Sequence, residues 1–198
     1  GLRSIRYHRL EADIVIGFSH QWFGTISAAA RSLSHAAGQA EPFAWFNWPH
    51  VPHPGIVGHE QSLLALKEIL ERTPHEKILA IVVELVGEKS GLSFDAGYLA
   101  ELNKIRDLTG IPLVFQETAS SLKRGGHAVF LSDTLATKPN MVWWYTGGQL
   151  GHIFVDDQYF VEKPLTLIST WDGDEISIAR SYHHLLFAHT LHAPGLDT

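Results

Sequence analysis

The sequence predicts an α/β fold, a mainly parallel sheet with helices on both faces. Three observations carry this. Residues 78–86 are a near-continuous apolar run rich in β-branched side chains, as a strand covered on both faces requires. Residues 111–116 form a second such run. Between them lies a helical pattern that Asp95 can cap and Gly110 can end. A strand–helix–strand unit of this kind implies a right-handed crossover and a parallel pair.

The remaining elements follow in order. Residues 14–18 read as a buried strand, and a helix of small residues is expected over 25–37, stopping near Gly38. The aromatic stretch 43–48 leads into 49–58, whose prolines and histidines read as loop. Residues 60–72 have Leu63, Leu66, Ile69 and Leu70 on one helical face. In the helix after Asp95, Tyr98, Leu99, Leu102, Ile105 and Leu108 are expected to share a face. Residues 141–145 and 153–155 are further strands, and 175–192 is a closing helix. Trp45, Trp48, Trp143 and Trp144 are expected in the core or at an interface. There is no internal repeat, so 1–198 is read as one domain.

Composition narrows the function. Hydrophobic residues make up 45% and charged residues 18%, which is globular usage. A net charge of -6 and a pI near 6.1 argue against nucleic acid, and no basic amphipathic stretch suggests a membrane partner. The absence of cysteine excludes disulfides and thiolate chemistry and fits a reducing cytoplasm. A chain that starts at Gly1 is expected to be part of a longer protein.

Ligands of such folds gather at the carboxyl ends of strands. That rule selects residues 19–23, Glu84, Gln116, Glu117 and 146–149. Glu84 and Glu117 are a possible acid–base pair, although solvated strand-end acids are the commoner occurrence. His50, His53 and His59 have spacing that can chelate, but a fuller ligand set is missing, and no metal is expected. In the last helix only His189 and His192 are spaced to share a face, and its histidines, His183 and His184 included, read as solvated or partly buried. Ser19–His20 lacks a nucleophile elbow. The glycine pairs 125–126 and 147–148 read as turns before they read as phosphate cradles.

Five segments then fall in a particular order: Phe-Asn-Trp-Pro-His-Val (46–51), Thr-Pro-His-Glu-Lys-Ile (73–78), Val-Phe-Gln-Glu-Thr (114–118), Lys-Pro-Asn-Met-Val (138–142) and Ser-Thr-Trp-Asp-Gly (169–173). Together they resemble class III, fold-type I aminotransferases that use pyridoxal phosphate (PLP), most like lysine 6-aminotransferases. The resemblance runs from about Asp13 to His192.

It implies roles by position. Trp22 and Phe23 fall where the family stacks an aromatic–His pair on the cofactor, with Phe23 replacing the His. Glu84 falls at a glutamate near substrate and cofactor, beside the Glu117 position at the next strand end. Gln116 replaces the aspartate that pairs with the pyridine nitrogen. Thr146 replaces the Schiff-base lysine, and no lysine lies between Lys138 and Lys163. Thr170 matches a threonine that contacts the cofactor phosphate of the neighbouring subunit.

Without the amine there is no internal aldimine, and without the counter-charge the ring is a poor electron sink. The resemblance therefore implies a large domain lacking the family's N-terminal segment and C-terminal small domain. PLP is the family cofactor, but none is expected on the isolated chain. The chain is expected to act as a homodimer or as a heteromer with an aminotransferase-like chain. Two other readings stay open: PLP-independent chemistry in the old pocket, and a functional transaminase in which a partner supplies the lysine.

Overall fold

The computed structural model describes residues 1–124, 126, 128–145, 150–167 and 173–190. Its centre is β3 (Ile78–Glu84), which is buried at every position. The strand has no polar face because both of its faces are covered. Ile81 and Val83 point into one core, with Leu66, Tyr98, Leu99 and Leu102. Ala80 and Val82 point into the other, with Ile5, Leu33 and Tyr159. Leu79 also joins the second core, because the pairing with β1 (Ile14–Phe18) shifts register between Ile14↔Ile78 and Val15↔Ala80.

Among the described residues six strands form one sheet, in the order β2-β1-β3-β4-β5-β6. The pairings of β2 (His50–Val51), β1, β3, β4 (Leu113–Gln116) and β5 (Met141–Tyr145) are parallel. The last strand, β6 (Gly151–Val155), returns antiparallel to β5. Asn140 locks the base of this region. Its Oδ1 accepts from Leu113 N at 2.9 Å and its Nδ2 donates to Asp156 Oδ2 at 3.0 Å.

The first core is roofed by α4 (His59–Arg72) and α5 (Ala96–Thr109). The Asp95 carboxylate accepts from Tyr98 N at 3.0 Å, and Gly110 ends the helix at φ 68°, the left-handed conformation glycine adopts without strain. The second core takes residues from α1 (Leu2–His8) and α2 (Ala28–Leu33). A short α3 (Pro54–Val57) precedes α4, and α6 (Glu175–Thr190) lies against β6, where Ser181 Oγ is 2.5 Å from His152 Nε2. Among the described residues no helix is long and apolar enough to cross a membrane.

Several expectations change. The helix expected over 25–37 is the six-residue α2 followed by a 3₁₀ turn, Ala36–Gly38. Ser27 caps it by accepting from Ala30 N at 3.0 Å, so it starts later than small-residue content suggests. The expected loop 49–58 contains β2 and α3, because His53 accepts from Gly55 N and caps a turn that begins with Pro54. The α1 helix was not legible, since only Ser4 and Ile5 of its seven residues are buried. Trp144 is buried while Trp45 is exposed. Leu108 is 86% exposed although it continues the α5 stripe, because it lies in the last turn at the stripe's edge. The closing helix is described to Thr190, and His192 lies outside the described residues.

The contrast along α5 is measurable. Leu102 is fully buried, so Leu102→Ala is expected to cost about 2–5 kcal/mol. Leu108→Ala should change stability by less than about 0.5 kcal/mol, as exposed positions do. Urea unfolding of the two variants at matched slope checks both.

Candidate functional site

The parallel register lines up three side chains. Glu84 pairs with Gln116, and Gln116 with Trp143, so the three form a row across β3, β4 and β5 near their carboxyl ends. Side chains in one register row of adjacent strands share a face. Two members of the row converge on the backbone of one residue, Trp22. Glu84 Oε2 accepts from Trp22 N at 2.7 Å, and Gln116 Nε2 donates to Trp22 O at 3.1 Å. The other Glu84 oxygen accepts from Glu88 N at 2.9 Å. The segment after β1 is thus tied from two strands at once, while Phe23 N donates to Ser34 Oγ at 3.0 Å.

Glu84 is 1% exposed, and burial pushes its carboxyl up to about 7, against the smaller opposing effect of the two backbone donors. Its environment is that of a clamp: both oxygens are occupied by backbone N–H groups.

Glu117 does not join it. One residue beyond Gln116, it points to the opposite face of the sheet, fully buried. Its carboxylate accepts from Leu131 N at 2.7 Å, Ser132 N at 2.9 Å and Ser120 Oγ at 3.0 Å, which pins the 3₁₀ turn Leu131–Thr134. The expected Glu84–Glu117 pair does not form: the two carboxylates engage separate sets of donors, and strand alternation is the reason.

Trp22 and Phe23 are also separated. Phe23 lies edge-on to Trp143, with ring centroids 6.4 Å apart, and lines a cavity of ≈ 380 Å³ with Leu33, Gln116, Trp143 and Ile153. The Trp22 ring instead has Lys89 Nζ 5.4 Å from its centroid and borders a different pocket. Sequence reasoning missed Leu33 and Ile153 as cavity walls, and no local signal marks them. Thr146 and Thr170 lie outside the described residues, as do Gly125, Gly147 and Gly148.

The histidines do not converge on a metal. His50 stacks on His35 at 4.7 Å and donates from Nε2 to Leu33 O at 3.2 Å. His53 caps α3, with its pKa lowered to about 4 by burial first and by His20 second. His59 pairs with Asp95. Among the described residues no group of three or more His, Asp or Glu side chains could hold a metal ion.

A mixed α/β sheet of this order, with its cavity at the strand carboxyl ends, matches the large domain of transaminases. The particular likenesses are these. Lysine aminotransferase from M. tuberculosis in the internal aldimine form superposes with TM-score 0.79 and 18% identity, covering 94% of this chain and 48% of that one. An (S)-enantioselective omega-transaminase from Thermomicrobium roseum gives 0.80 and 19%, covering 94% and 47%. Taurine:2-oxoglutarate aminotransferase from Bifidobacterium kashiwanohense, in complex with PLP and glutamate, gives 0.74 and 18%, covering 94% and 46%. This chain spans about half the length of these structures. At such identities the likeness establishes the fold. No protein-family profile and no curated protein matches the sequence.

Two outcomes follow from the Trp22 clamp. Glu84 has a folded-state pKa above its ordinary 4.5, so its contribution to stability is intact below about pH 4.5 and is lost as pH rises through about 7. Glu84→Gln is neutral throughout, so the stability gap between variant and parent should shift in the variant's favour, by on the order of 3 kcal/mol, from about pH 4 to about pH 8. His35, His50 and His53 have lowered pKa values and act in the opposite direction, but they cancel in this difference. Separately, Gln116→Asp replaces a donor with a carboxylate facing Trp22 O and should cost about 1–3 kcal/mol at neutral pH. Denaturant titrations at several pH values read both.

Proposed function

We propose that this chain is an aminotransferase-type large domain, most like that of the class III lysine 6-aminotransferases. In this reading its own PLP chemistry has lapsed and it acts through association, as a homodimer or with an aminotransferase-like chain. The observation that carries the reading is the commitment of Gln116. Its amide N–H is engaged by Trp22 O, and the side chain has no charge to offer a pyridinium.

The residues around the cavity do not fit PLP as a covalent cofactor. No described lining residue is a lysine. Lys138, which precedes β5, donates to Ser132 O at 2.9 Å and Asp133 O at 3.1 Å. Lys163 borders a groove with Tyr7, His8 and Asp157, away from the cavity walls. Position 146 is threonine by sequence. The cross-subunit role of Thr170 rests on the resemblance alone.

Association is supported by apolar surface on α6, where Ile176, Ile178, Tyr182 and Phe187 are all at least half exposed. A helix that leaves large apolar side chains on more than one face uncovered favours association. Glu84 favours a second reading, PLP-independent acid–base chemistry, through its carboxyl at about 7. The occupation of both its oxygens by backbone donors weighs against that reading.

Light scattering of the purified chain, alone and with an aminotransferase-like partner, is expected to show a dimer or a stable heteromer. PLP addition and borohydride reduction, followed by peptide mapping, should give only scattered lysine modification. The Thr146→Lys, Gln116→Asp double variant is expected to show no transaminase turnover of a lysine-like donor, since catalytic groups that act as a unit do not contribute additively. A clean monomer in both mixtures, or a stoichiometric adduct on one lysine of the parent chain, would overturn the reading.

A further inference from the structure

The strand order contains a reversal. From β1 the chain moves outward to β2, whereas from β3 it moves the other way to β4. The connections also leave on opposite faces: Leu33 of α2 packs in one core, and Tyr98, Leu99 and Leu102 of α5 pack in the other. Loops that part in this way open a crevice at the carboxyl ends of the two strands, the general ligand position in open α/β sheets.

A pocket of ≈ 420 Å³ lies there. His20, just after β1, and Lys89 and Ser90, after β3, supply its polar side. Trp22, Ala37 and Ile56 supply apolar wall. No described lining residue is acidic. Ser90 Oγ accepts from Leu92 N at 3.3 Å, which leaves its hydrogen to donate. Two of its residues, His20 at φ 63° and Ala37 at φ 52°, hold left-handed backbone without being glycine. Each such residue costs on the order of 1 kcal/mol, and strain of this kind concentrates at ligand clamps. The surrounding bonds enforce it: His20 N donates to His35 O at 2.7 Å, and His35 N to Gln21 O at 2.9 Å.

We propose that this crevice binds a small organic carboxylate with a planar apolar body. The head group meets the Lys89 ammonium, His20 and the Ser90 hydroxyl, and the body lies along Trp22 and the Ala37–Ile56 wall. A monoanion suits the site better than a phosphate. The pocket has one permanent point charge, and no described lining residue is an arginine with a bidentate fork. The site is separate from the Phe23–Trp143 cavity and stands whether or not the chain has lost PLP chemistry.

Calorimetric titration of the whole chain with benzoate tests this, with benzyl alcohol and inorganic phosphate as parallel arms. Benzoate is expected to saturate, with benzyl alcohol much weaker and phosphate not saturating. Lys89→Met should weaken benzoate about tenfold, the effect of one charge-assisted contact. Lys104→Met, on the exposed side of α5, should leave it unchanged. Lys89 is exposed, so its variant is expected to fold as the parent does. Undiminished benzoate binding in Lys89→Met would overturn the proposal. So would loss of binding in Phe23→Leu with retention in Lys89→Met, or phosphate binding as tightly as benzoate.

Discussion

The grip on the Trp22 backbone ties together the carboxyl ends of two strands of this sheet. One strand supplies an acceptor for its N–H and the next a donor for its C=O, so both polar groups of one residue's backbone are satisfied away from any regular ladder. An unpaired buried backbone group would cost about 1–3 kcal/mol, which gives the arrangement its force. Phe23, next in the chain, lies edge-on to Trp143, and the Trp22 indole lies beneath Lys89.

The grip also decides what residue 116 can be. A carboxylate at that position could not donate to Trp22 O, and an amide can. Chemistry that depends on a charge at that strand end and architecture that depends on a donor there are in direct competition. In this chain the donor wins, and the cost falls on any use of the cavity that needs a negative group in its wall.

The sheet was largely legible in the sequence because burial on both faces leaves an unbroken apolar signature. Residues 14–18 and 141–145 were bounded correctly, and 78–86 and 111–116 to within two residues. Local capping decided what periodicity could not: Ser27 set the start of α2, and His53 turned an expected loop into α3. The separation of Glu84 from Glu117 was implicit in strand alternation, since adjacent residues face opposite ways. The long-range partners of each carboxylate were not legible, because Leu131, Ser132 and Trp22 are far from them in sequence. Nor was the pocket at Lys89, which exists only because His20 and Ser90 are brought together from the ends of two strands.

The two ends of the sheet are not alike. On one side β2 is a two-residue strand, too short to template much. On the other, β6 runs for five residues with Ile153 and Phe154 about half exposed, and among the described residues it pairs only with β5. A free ladder edge with apolar side chains can be extended by any unfolded strand that meets it. Asp156 and Asp157 follow directly and place charge where such a strand would have to continue. The burden of this geometry falls on biogenesis: the yield of folded protein, more than the durability of what has folded, is the quantity that should decline with concentration.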